Sequence, residues 1–193
     1  RLTVVRADAL EIEDLPTIDG KQATKLVANL PYNVAVPVLL TMLERFDALT
    51  DVLVMVQAEV ADRLAAPPGS KTYGIPSAKA AWYSQASRAG SVGRNVFWPT
   101  PNVDSALVRL VRRDHPVVSN GEATREATFA VVDAAFAQRR KTLRAALAGW
   151  AGSPVRAEEV LRAAGIDPTL RGERLTIEQF AAIAAASATV PQV

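Results

Sequence analysis

Thr24-Lys25-Leu26-Val27-Ala28-Asn29-Leu30-Pro31-Tyr32 is an apolar, β-like run that stops at a polar, proline-fixed tip, and the stretch after it, Val36 to Phe46, is patterned as a helix. A strand that turns into a helix at such a tip presents its last residues at the carboxyl edge of a sheet, where open α/β folds place their binding sites. The residue types suit that place. Asn29 offers a side-chain carbonyl acceptor, Pro31 fixes its own φ and has no N–H to donate, and Tyr32 supplies a flat ring on which a base can stack. On these residues alone, an ordinary strand-to-helix turn remains the alternative.

Outward from this tip the chain alternates strands and helices. Leu2-Thr3-Val4-Val5-Arg6-Ala7-Asp8 reads as a buried strand ending in an acid, and Asp51 to Gln57 as another. With helical stretches over Val36 to Phe46 and Ala58 to Ala65, these near-continuous apolar runs predict a parallel sheet covered on both faces. Pro67-Pro68-Gly69-Ser70 opens a loop to Tyr73-Gly74, before a helix expected from about Ser77 to Ser87. Arg88 to Phe97 and Asp104 to Val111 predict an antiparallel pair joined across Pro99 and Pro101. After Pro116 only helical patterns follow, over Glu122 to Ala137, Arg139 to Trp150, Arg156 to Ala164 and Thr176 to Ser187, punctuated by Gly149, Gly152-Ser153-Pro154 and Gly165. The expected organisation is an α/β domain over residues 1–114 and a small all-α domain over residues 115–193.

Composition narrows the chemistry. No apolar run approaches the ~20 residues of a membrane span, so no membrane partner and a cytosolic home are expected. The chain has no Cys and one His, His115. Disulfides, thiolate metal sites, Cys nucleophiles and His-based clusters or triads are therefore excluded, and no metal is expected. The net charge of +2 is small, but the basic excess falls within residues 97–193. There Arg139, Arg140, Lys141 and Arg144 crowd one predicted helix with no acid between Phe136 and Trp150. Such a patch is the footprint expected for a phosphate backbone. At 3.6 residues per turn Arg140 and Arg144 share a face, while Arg139 is the candidate for packing at the junction. Lys71 and Arg171 are further candidates, and a solvated helix face is the alternative reading.

Six segments occur in a fixed order: Asn29-Leu30-Pro31-Tyr32-Asn33, Gln57-Ala58-Glu59-Val60-Ala61-Asp62-Arg63-Leu64, Lys71-Thr72-Tyr73-Gly74, Phe97-Trp98-Pro99-Thr100-Pro101-Asn102-Val103-Asp104-Ser105-Ala106, Gln138-Arg139-Arg140-Lys141-Thr142-Leu143-Arg144, and Gly165-Ile166-Asp167-Pro168 followed by Arg171 and Arg174. Together they resemble the KsgA family of small-subunit rRNA adenine dimethyltransferases, from about Asp8 to about Phe180. The resemblance implies a class I, Rossmann-like methyltransferase sheet. It implies S-adenosylmethionine as methyl donor, transfer of two methyl groups to each of two adjacent adenosines in a small-subunit rRNA hairpin, and the immature small ribosomal subunit as partner of a monomer. It also implies that Asp8 accepts a hydrogen bond from the cofactor's adenine amine while the Ala9 backbone reads the ring edge, with Asn29 as the third cofactor-binding position. A helix cap after Ala7 is the alternative for Asp8. Enzymes of this class open with a strand and a Gly-rich turn, then an acid that holds the ribose. This sequence contains no such turn, and Leu2 to Asp8 matches the third strand. The sheet is thus expected to lack its first strands, in an amino-terminally incomplete version of a longer protein.

The amine of adenine is a poor nucleophile because its lone pair is delocalised into the ring. Acceptors for both of its N–H groups favour a pyramidal amine and stabilise the charge that develops as a methyl arrives. The Asn29 carbonyl and a backbone carbonyl at Leu30 or Pro31 are the candidates. A flipped base needs two walls. Tyr32 is one, and Phe97 resembles the family's second, with Trp98 leaving open which ring stacks. Packing at a hinge is the alternative for both rings. Two rival functions stand beside the leading one. The erythromycin-resistance methyltransferases share the Asn-x-Pro-Tyr logic on large-subunit rRNA, and the missing Gly-rich turn admits a non-enzymatic RNA-binding or ribosome-assembly module.

Overall fold

The computed structural model describes residues 2–118 and 123–190, which divide into two units, Arg1–Ala65 with Tyr83–Arg113 and Ala66–Trp82 with Asp114–Val193. In the first, β1 (Lys25–Asn29), β2 (Asp51–Gln57), β3 (Ser84–Val92) and β4 (Ser105–Arg112) form one mixed sheet in the order β1-β2-β4-β3. β1 runs parallel to β2, from Lys25 opposite Asp51 to Asn29 opposite Met55, and β4 is antiparallel to both β2 and β3.

The period of two along β2 sets the core. Val52, Val54 and Val56 are buried, and Leu53 and Met55 between them are half-buried. The helix α1 (Ala35–Arg45) buries Ala35, Val38, Leu39, Met42 and Leu43, a stripe at the helical spacing. Its carboxyl end is closed by Arg112 at the end of β4. That guanidinium donates to the carbonyls of Leu43 (2.6 Å), Phe46 (3.0 Å) and Leu49 (2.7 Å), satisfying acceptors that a helix end otherwise leaves open. α2 (Ala58–Leu64) follows β2 directly and buries Ala61 and Leu64.

Several expectations for these elements do not hold. Leu2 to Asp8 forms no strand, and Leu2 and Val4 are 89% and 81% exposed. A strand needs a neighbour's N–H and C=O groups, and among the described residues β1 has β2 on one side and nothing on the other. The second face of the sheet is also incompletely covered, with Val27 of β1 75% exposed. β3 begins at Ser84 rather than Arg88, because its ladder with β4 runs from Ser84 opposite Arg112 to Val92 opposite Ser105. The preceding helix, α3 (Ile75–Tyr83), accordingly ends before the expected Ser87.

The second unit is helical. α4 (Arg125–Ala137) is capped by Thr124, whose hydroxyl accepts from the Ala127 N–H, and the expected start at Glu122 lies outside the described residues. α7 (Pro154–Ala163) is capped by Ser153, and α8 (Ile177–Thr189) by a reciprocal Thr176/Gln179 capping box. The expected helix from Arg139 to Trp150 is instead a turn over residues 138–142 followed by α5 (Leu143–Ala146) and α6 (Ala148–Ala151). Tertiary hydrogen bonds overrule the helical pattern. The N–H groups of Leu143 and Arg144 donate to the carbonyls of Leu170 (2.7 Å) and Pro168 (3.1 Å), so they cannot continue a helix upstream.

This unit also takes in Ala66–Trp82, which the expected boundary at residues 114/115 assigns to the sheet. Tyr73 and Ala78 are buried in one cluster with Val131, Leu147, Leu175 and Phe180. Tyr73 donates to the Leu175 carbonyl (2.9 Å), and its ring meets Phe136, which in turn meets Phe180, at centroid distances of 6.0 and 6.1 Å. Desolvation in that setting raises the Tyr73 phenol well above its ordinary value.

Candidate active site

β1 ends at Asn29, and the next residue is still tied to the sheet. The Leu30 N–H donates to the Met55 carbonyl (3.1 Å), and the Leu30 side chain is buried. The chain then turns, with the Val34 N–H donating to the Pro31 carbonyl (3.2 Å), and α1 begins. This geometry separates the candidate acceptors. Asn29 is exposed, and among the described residues neither its side chain nor the Leu30 carbonyl is hydrogen-bonded, whereas the Pro31 carbonyl already serves the turn. The two open acceptors are therefore Asn29 Oδ1 and the Leu30 carbonyl.

Tyr32 follows, half-buried, with its Oη 2.8 Å from Ser105 Oγ at the start of β4. On the other side, a 3-10 turn over Arg94–Val96 leads into Phe97. The Arg94 N–H donates to Asp104 Oδ1 (3.1 Å), and the Phe97 N–H returns to the Arg94 carbonyl (3.3 Å). Asn29, Leu30, Pro31, Tyr32, Phe97, Trp98, Pro99 and Pro101 line one open cleft of about 410 Å³. Phe97 is half-buried and forms a packed wall, while Trp98 is 96% exposed at the rim. Carbonyl acceptors beside aromatic and proline faces can hold a planar group that carries an amine.

Asp8 and Ala9 do not line this cleft. Asp8 Oδ1 accepts from the Leu10 N–H (2.8 Å) and its carbonyl from the Glu11 N–H (3.1 Å), so the residue shapes its own turn, and among the described residues Oδ2 has no partner.

The basic residues sort into two groups. Arg139 is ion-paired with Glu173 (3.3 Å) and donates to the Lys71 carbonyl (2.5 Å), tying two loops together. Arg144 is paired with Glu158 (2.8 Å). The Glu158 carboxyl, bonded first by Arg162 and also by Arg144, is held below the usual carboxylate range. Arg140, Lys141, Lys71 and Arg171 are exposed, and among the described residues their side chains have no acidic partner. Ser105 and Asp104 lie inside a segment whose strand pattern is visible in the sequence, but their partners are not: Tyr32 for Ser105, 73 positions away, and the Arg94 N–H for Asp104, 10 positions away.

The Ribosomal RNA adenine dimethylase family model matches residues 1–188. Ribosomal RNA small subunit methyltransferase A of Streptomyces griseus is 65% identical over 184 residues, covering 95% of this chain and 62% of that protein. The Kineococcus radiotolerans protein of the same name is 66% identical over 182 residues, covering 94% and 59%. The chain thus spans about three fifths of the length of these curated relatives. Among solved structures, a dimethyladenosine transferase from Plasmodium falciparum has a TM-score of 0.73 at 20% identity, covering 93% of this chain and 70% of that one. The 23S rRNA methyltransferase ErmE has a TM-score of 0.62 at 22% identity, covering 94% and 70%. At those identities the likeness is one of fold.

Proposed function

The chain belongs to the ribosomal RNA adenine dimethylase family, and from that premise we propose that it carries the methyl-acceptor side of an enzyme that dimethylates two adjacent adenosines of small-subunit rRNA in the cytoplasm. The observation that carries this reading is the Asn29 carboxamide, exposed and without a hydrogen-bond partner among the described residues, in a cleft walled by Tyr32 and Phe97. A flipped adenine lies between the two rings, and its amine donates to Asn29 Oδ1 and to the Leu30 carbonyl. These fixed dipoles stabilise the positive charge that grows on the nitrogen, so no carboxylate base is needed and the proton leaves to water afterwards. Holding the amine in line supplies much of the remaining acceleration.

S-adenosylmethionine, when bound, supplies an electrophilic methyl on a sulfonium. The residues fit its adenine end, because Asp8 Oδ2 is an open acceptor for an exocyclic amine and Ala9 follows it. Arg140, Lys141, Lys71 and Arg171 are the rRNA phosphate contacts in this reading, and Arg139 and Arg144, engaged by Glu173 and Glu158, contribute less. The immature small ribosomal subunit is the partner. No helix among the described residues is long and apolar enough to cross a membrane.

Single-turnover methyl transfer to immature small subunits by the full protein, followed by mass analysis of the rRNA, tests the reading. Two methyl groups on each of two neighbouring adenosines are expected. Incorporation into large-subunit rRNA alone would overturn the substrate, and RNA binding without transfer would leave the chain as an assembly module.

A further inference from the structure

We propose that the dipeptide Asp104-Ser105 positions both aromatic walls of the cleft, Ser105 holding Tyr32 and Asp104 holding the approach to Phe97. The inference rests on the proposed function for what the walls hold, and on geometry for how they are held.

Ser105 is fully buried, and its strand position is fixed from both sides, by Gln57 of β2 and by Val92 of β3. A buried hydroxyl takes a partner, and the partner here is Tyr32 Oη, 2.8 Å away across 73 residues of sequence. A tyrosine ring turns about two bonds only, so tethering its far end to the sheet sets the plane of its face. The proton can lie on either oxygen, and the bond constrains the ring in both cases.

Asp104 acts on the opposite wall. Its carbonyl accepts from the Ala58 N–H at the start of α2 (2.9 Å), which fixes its backbone. Its carboxylate then accepts from the Arg94 N–H (3.1 Å), a donor that the 3-10 turn itself leaves unsatisfied. The turn ends at Phe97, so its start is anchored one residue from the anchor of Tyr32. The separation of the two walls is therefore referred to a single peptide unit on a strand paired on both sides. Neither residue lines the cleft, and both act through other groups.

Amide hydrogen exchange and single-turnover kinetics on the full protein test the proposal. Ser105→Ala is expected to accelerate exchange about 10-fold at residues 32–34 and leave residues 94–97 unchanged. Asp104→Ala is expected to do the reverse, at the magnitude of a local opening rather than of global unfolding. Ser105→Thr and Asp104→Asn keep the oxygen and should keep wild-type exchange. Both alanine variants should lower kcat roughly 10- to 100-fold with KM for the methyl donor unchanged, because misplacing a wall disturbs alignment, and Thr and Asn should restore it. If Ser105→Ala does not fold, Tyr32→Phe removes the same bond from its accessible end. Wild-type exchange in both segments, loosening that extends equally through β2, or unchanged kcat with loosened walls would each overturn the proposal. Absence of transfer by the wild-type protein would instead remove the proposed function, and the exchange pattern would still decide the two anchors.

Discussion

The Asn29 side chain is exposed and has no hydrogen bond among the described residues, so truncating it removes nothing that the fold uses. In the full protein, Asn29→Ala is therefore expected to leave the melting temperature and the affinity for RNA nearly unchanged. Single-turnover methylation should slow on the order of 100-fold or more, the usual cost of losing one preorganised partner of a developing charge. Rapid-quench measurement on the purified variant checks this, and near-wild-type turnover would sink the role given to Asn29. The cluster from Asn29 to Tyr32 was legible in the sequence because its logic is local: an apolar run, a proline-fixed tip and a helical run sit within one short stretch. The choice between the Leu30 and Pro31 carbonyls was not, since it depends on which of them the Val34 N–H occupies. Ser105 was invisible for a related reason, as its partner lies 73 residues away.

At the scale of elements, the basic run shows where pattern reading stopped. Residues 139–150 have good helical composition, yet the helix starts only at Leu143, because the Leu143 and Arg144 N–H groups go to carbonyls at 170 and 168. The argument that Arg140 and Arg144 share a helical face therefore falls, and ion pairing ranks the side chains instead. Arg140→Gln with Lys141→Gln should flatten the log-log salt dependence of RNA binding by about one unit per lost phosphate contact. Arg139→Gln and Arg144→Gln should flatten it less, because Glu173 and Glu158 already engage those guanidiniums. Equal slopes for all four variants in a filter-binding titration would overturn the ranking. Glu158 adds a pH dependence. Its hydrogen bond from Arg162, and then Arg144, depress its folded value below the unfolded one, so its contribution is present above the ordinary carboxylate range and is lost as pH falls through the depressed value. Wild-type and Glu158→Gln proteins should differ in melting temperature at neutral pH and converge in acid. A difference that persists at low pH would show that the carboxylate is not its source.

Across the whole molecule, the succession of a strand-and-helix portion and a helical portion could be read from periodicity, whereas the membership of Ala66–Trp82 could not. A helical pattern states which face is apolar but not which neighbour covers it, and Tyr73 and Ala78 turn out to be buried with the carboxy-terminal helices. The same distinction governs the methyl donor. The sequence contains no Gly-rich strand-to-helix turn, so no nest of backbone N–H groups of that kind is available to the charged methionine end. The residues assigned to the donor are Asp8, Ala9 and Asn29. Asp8 is exposed, and one of its carboxylate oxygens is already bonded to the Leu10 N–H. An exposed acceptor of this kind exchanges water for ligand with little net gain, and without such a nest the methionine half of a flexible molecule is left to be ordered without compensation. This 193-residue chain by itself is accordingly expected to bind S-adenosylmethionine very weakly or not at all in isothermal calorimetry. A micromolar dissociation constant, about −8 kcal/mol, would demand contacts that these three residues do not supply and would overturn the assignment of the donor site to them.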